Sequence, residues 1–102
     1  MFSWLSTKKS EKFGSDMAVL LMELIPKEIV LKDSKLTSKS NYAREKMLKK
    51  IRQFKQEEIL NFYKTAKLLN TFKWTLNDVG YDKALADTFA SWILISLRSP
   101  KN

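Results

Sequence analysis

The side chains of this chain best equipped to bind something are cations. Arg44, Lys46, Lys49, Lys50, Arg52 and Lys55 crowd positions 44–55 and meet a single carboxylate, Glu45. Ammonium and guanidinium groups at this density bind phosphates, releasing counterions from nucleic acid, or the carboxylates of an acidic protein. Lys64 and Lys67 prolong the run, so the candidate binding residues are Arg44, Lys46, Lys49, Lys50, Arg52, Lys64 and Lys67. The competing reading is a solvated helix face, supported by Glu45 and Lys49 at the favourable i, i+4 spacing. Aromatic rings interleave with the cations, as they would in a platform on which bases stack. Phe54, Phe62 and Phe72 share an apolar stripe and are expected in a core, which leaves Tyr63 and Trp74 as the stacking candidates.

What is missing restricts the chemistry further. The chain has no His and no Cys in 102 residues. That removes imidazole acid–base work, thiolate nucleophiles and the commonest metal ligands. Ser6 and Lys9 have the spacing of serine–lysine acyl enzymes, but no accompanying motif supports it. Asp78 and Asp82 lie one helical turn apart and could share a cation; helix capping explains both more simply. No glycine-rich phosphate loop is present. The expectation is a non-enzymatic protein without a cofactor or metal site.

A second candidate surface lies at the N-terminus. Phe2, Trp4 and Leu5 precede Lys8, Lys9 and Lys12, a pattern in which apolar groups enter a membrane interface and lysines meet anionic headgroups. The alternative is a terminus folded back onto the domain. No signal peptide is evident, because Asp16 and Glu23 interrupt the apolar run that follows the lysines. The apolar stretches 17–25 and 84–97, the latter containing Asp87, fall short of the roughly 18 residues needed to span a bilayer. With no Cys to pair, a cytoplasmic location is expected.

Helices must position these residues. A hydrophobic content of 44% with only two Gly and two Pro suits a folded helical domain. Gly14 reads as a break, with Ser15 and Asp16 opening a helix over 16–25 that is apolar on nearly every side and so belongs at a bundle centre. Pro26 stops it. The polar stretch 32–41, KDSKLTSKSN, reads as a loop with Ser38, Ser40 and Asn41 as caps. From there to Lys73, Met47, Leu48, Ile51, Phe54, Ile59, Phe62, Ala66, Leu69 and Phe72 fall on one stripe. An unbroken helix over 41–73 would be about 50 Å long, whereas a compact chain of this size has a radius of gyration of about 13 Å. Lys55 and Glu58 also interrupt the stripe, so a turn is expected near 55–57. Thr75 and Asp78 have the spacing of a capping box, a short turn over 76–79 would end at Gly80, and a last helix over 82–97 would bury Leu85, Phe89, Trp92, Ile93 and Ser96. Positions 75–92 imitate a helix-turn-helix, but Asp82 and Asp87 would face phosphates, which rules that segment out as a DNA reader.

The expected fold is all-α: a small single-domain bundle of about four helices over 15–99, after a basic and aromatic segment over 1–14 and before a tail over 100–102. Helix 16–25 would pack against 82–97, with the halves of 41–73 on the flanks. In size, charge, lack of Cys and helix number this is similar to the cytoplasmic immunity proteins that protect bacteria from their own membrane-active peptides, a likeness of class carried by no motif. The first functional expectation is a binding protein that docks an acidic partner protein through the basic face of 44–67. A nucleic-acid-binding regulator using the same face is the alternative, and a membrane-surface immunity or accessory protein using 1–12 a third.

Overall fold

The computed structural model describes residues 7–30 and 33–99. Phe2, Trp4 and Leu5, and the tail 100–102, lie outside them. The protein is an all-α bundle. Its elements are α1 (Lys8–Leu24), the single turn α2 (Lys27–Val30), α3 (Asp33–Glu57), α4 (Phe62–Asp78) and α5 (Lys83–Arg98). The four long helices close a ring in which α1 and α5 each pack on both α3 and α4. Lys9 beside Glu58 and Gly14 against Leu68 set α1 parallel to α4. Phe13 stacked on Phe54 at 4.2 Å sets α3 antiparallel to α1, and Lys73 beside Asp87 sets α5 antiparallel to α4. The core at the middle holds Met17, Leu21, Met47, Ile51, Leu68, Phe72, Phe89 and Ile93, all without solvent exposure. The radius of gyration is 13.7 Å.

Gly14 is not a break. It lies inside α1, which begins at Lys8, and the turn is supported by Thr7 donating to Glu11 and Lys12 pairing with Asp16. Ser10, Gly14 and Ala18 recur four residues apart on one face, all buried. Small side chains along one stripe let two helix backbones approach closely. They make α1 and α4 the tightest pair of the bundle, in place of the expected pairing of 16–25 with 82–97.

The stretch 32–41 is not a loop either, since α3 covers 33–57. Its inward face runs Leu36, Ser40, Ala43, Met47, Ile51 and Phe54, a spacing of three and four residues in which Ser40 takes an apolar position. The α3–α4 turn falls at 58–61, just beyond the expected 55–57. Both charges that interrupt the stripe serve this end of the bundle. Lys55 donates to the Ser96 and Ser99 carbonyls at 3.1 and 2.6 Å, satisfying the negative end of α5. Glu58 pairs with Lys64 at 3.0 Å.

No turn separates 76–79 from α4, and Thr75 forms no capping box: its hydroxyl donates to the Thr71 carbonyl within the helix. Gly80 does end the segment. At φ 85° it closes a Schellman turn, with the Gly80 and Tyr81 amides donating to the Asn77 and Leu76 carbonyls. Asp82 caps α5 by accepting from the Leu85 amide at 3.0 Å, as expected of a helix starting there.

Tyr81 links the α4–α5 turn to the end of α1. Its hydroxyl donates to the Ile25 carbonyl at 2.8 Å, with the Met22 carbonyl 3.3 Å away. Burial, aided by the Glu28 carboxylate, pushes the phenol above its ordinary 10.0. The neutral form is therefore favoured by folding, and this stabilisation is complete below pH 10 and lost as pH rises through the raised native value. Tyr81→Phe should cost about 1 kcal/mol at neutral pH. In urea titrations the gap between wild type and variant should shrink above pH 10; a gap constant with pH would show that the phenol does not titrate with unfolding.

Candidate functional site

On α3 the cations divide by their angle around the helix. Lys49 and Arg52 point directly away from the core and are exposed. Lys39, Lys46 and Lys50 form a stripe on the flank facing α1 and α2. Lys46 lies 5.3 Å above the Tyr42 ring, and Lys50 lines a shallow groove whose α1 wall carries Asp16 and Glu23. Lys39 was missed because its segment reads as a loop; once 33–41 is helical, it falls two turns before Lys46 on the same side.

Three of the neighbouring cations are committed to the fold. The Arg44 guanidinium sits 4.9 Å over the Phe89 ring and 6.0 Å from that of Trp92, a half-buried cation–π contact. Lys55 caps α5. Lys64, expected on the basic face, is 4% exposed and bonded to Glu58 and the Ile59 carbonyl. Its position follows from the cap: Asn61 accepts from the Lys64 amide at 2.7 Å and starts α4 so that position 64 faces inward with Leu68.

Lys67 is exposed, yet it does not join the α3 cations. Because α3 and α4 stand on opposite flanks of α1 and α5, their outward faces point in opposite directions. Lys67 instead shares a stripe of α4 with Tyr63, Asn70 and Trp74. Tyr63 and Trp74 are open to solvent, at 55% and 74% exposure, as a stacking role requires. They are on the wrong side of the molecule to act with the cations of α3. Expected in the core stripe, Ile59 and Phe62 are instead 90% and 85% exposed. Ile59 lies in the α3–α4 turn, and Phe62, at the first position of α4, turns away from the core to the lip of a groove beside Leu69, Leu94 and Leu97.

Lys8 and Lys9 open α1 at the same end of the bundle as Glu58, and both are exposed. Among the described residues no cluster of three acidic or metal-ligating side chains could hold a metal ion, and no helix is long and apolar enough to cross a membrane. No protein-family model, curated protein or solved structure matches the chain.

Proposed function

We propose that this is a non-enzymatic binding protein of the cytoplasm that docks an acidic partner protein through the outer face of α3, using Lys46, Lys49, Lys50 and Arg52. The observation that supports it is selective: Arg44, Lys55 and Lys64 are held by aromatic, carbonyl or carboxylate partners, while Lys49, Lys50 and Arg52 reach solvent with no carboxylate in ion-pair range among the described residues. Such unpaired charges steer an oppositely charged partner and fix its register. The separation of Tyr63 and Trp74 from this face speaks against a reader of single-stranded nucleic acid, which needs stacking rings and cations in one groove.

The test is affinity capture at moderate salt, with nuclease-treated and untreated lysate, comparing the wild type with Lys49→Glu/Arg52→Glu. Both positions are exposed, so folding should change by no more than about 0.5 kcal/mol. An acidic protein should be retained in both lysates, and charge reversal should weaken its capture by about tenfold or more. Capture that disappears with nuclease, together with a shift of unrelated duplexes at low salt, would replace this reading with the nucleic-acid one.

A further inference from the structure

The end of the bundle where α1 starts, α3 turns into α4 and α5 finishes combines features the fold itself does not use. Ile59 and Phe62 stand three residues apart on either side of the capping Asn61 and are more exposed than any other large apolar side chain described. Their exposure is not looseness. The turn is braced by the Glu58–Lys64 ion pair, by the Asn61 cap and by the Glu58 amide donating to the Phe54 carbonyl at 2.9 Å. Behind Phe62 the α4–α5 groove, about 480 Å³ and lined by Leu69, Leu94 and Leu97, continues the apolar surface.

Cations surround this tip. Arg98 lines the same groove as Phe62, Lys67 follows Tyr63 by one turn on α4, and Lys8 opens α1. None of the three has an ion pair among the described residues. Of the carboxylates at this end, Glu58 is paired with Lys64 and Lys9, while Glu11 and Glu57 accept from the neutral Thr7 and Gln53 and keep their charge, so the cations of the tip outnumber its anions without standing alone. The acidic side chains Asp78 and Asp82 lie at the opposite end.

We propose that this tip is a docking site for an anionic membrane surface, with Ile59 and Phe62 entering the interface and Lys8, Lys67 and Arg98 meeting headgroup phosphates. A short apolar protrusion ringed by cations matches the order of a bilayer surface, apolar below and anionic above. A second copy of this chain matches it poorly, because an isologous contact would bring the same cations of a protein carrying +8 against each other. The surface is distinct from the outer face of α3, so a protein seated by its tip leaves that face free for a partner.

Co-sedimentation of the full chain with phosphatidylcholine vesicles, with and without phosphatidylglycerol, tests this. The wild type should bind only the anionic vesicles, and less as salt rises. Ile59→Ser/Phe62→Ser should weaken binding by about tenfold or more while melting like the wild type, since neither side chain is packed. Lys49→Glu/Arg52→Glu should bind nearly as well as the wild type. The proposal is overturned by a wild type that ignores anionic vesicles at low salt, or by an Ile59/Phe62 variant that binds undiminished. Sedimentation equilibrium showing a dimer that the same variant dissolves would assign the patch to a second copy instead.

Discussion

Gly14→Ala should lower the stability of the fold by about 2 kcal/mol, a fall in melting temperature of roughly 10 °C for a domain of this size. In an open helix the same change would stabilise by about 1 kcal/mol, because alanine loses less backbone entropy and glycine is the poorer helix former. Here packing decides the sign. A Cβ at position 14 would lie 2.3 Å from the Leu68 carbonyl oxygen and 3.3 Å from the Phe72 amide nitrogen. These are backbone atoms of α4, so no side-chain rotation relieves the overlap. The two helices must separate, opening the packing around Met17, Leu68 and Phe72. Thermal unfolding followed by far-ultraviolet circular dichroism reads the effect. Melting at or above the wild-type temperature would show that α1 and α4 do not touch at this point.

Gly14 also illustrates where the chain is readable and where it is not. Periodicity of large apolar residues identified most of the core: Met47, Ile51, Phe72, Phe89 and Ile93 are buried as expected, and the last helix starts at its Asp82 cap. Small residues carried the information that was missed. Ser10, Gly14 and Ala18 specify a close helix contact, and Ser40 continues the inner face of α3, yet glycine and serine are also the residues that punctuate loops. Local composition favours the loop; only the partner helix converts them into packing positions. The same dependence on context misplaced Ile59, Phe62 and Lys64. A uniform 100° step carried across the α3–α4 turn puts the two apolar residues inside and the lysine outside. Once the Asn61 cap restarts the helix, that phase no longer holds, and Lys64 falls inside. The basic run was legible as a run, but its division into free and committed cations depended on which rings and carbonyls the other helices brought near Arg44 and Lys55.

The Glu58–Lys64 pair carries the second large effect, and it should be asymmetric. The Lys64 side chain is 5% exposed and that of Glu58 15%, with the Lys9 ammonium 3.7 Å from the second carboxylate oxygen. Glu58→Ala leaves the Lys64 ammonium at the bundle end with the Ile59 carbonyl, 3.4 Å away, as its one acceptor among the described residues. Stranding a desolvated charge is the expensive way to break an ion pair, and about 3 kcal/mol should be lost. Lys64→Met removes the buried charge and keeps most of the side-chain volume. Glu58 then retains Lys9 and some contact with water, so the loss should be about 1 kcal/mol or less. The combined variant Glu58→Ala/Lys64→Met has no charge to strand and should be more stable than Glu58→Ala alone. Urea unfolding of the four proteins gives the coupling directly. If Glu58→Ala cost no more than Lys64→Met, Lys64 would have to reach water without its partner, and the turn that holds Ile59 and Phe62 outward would be braced by the Asn61 cap and the Glu58 amide without help from the ion pair.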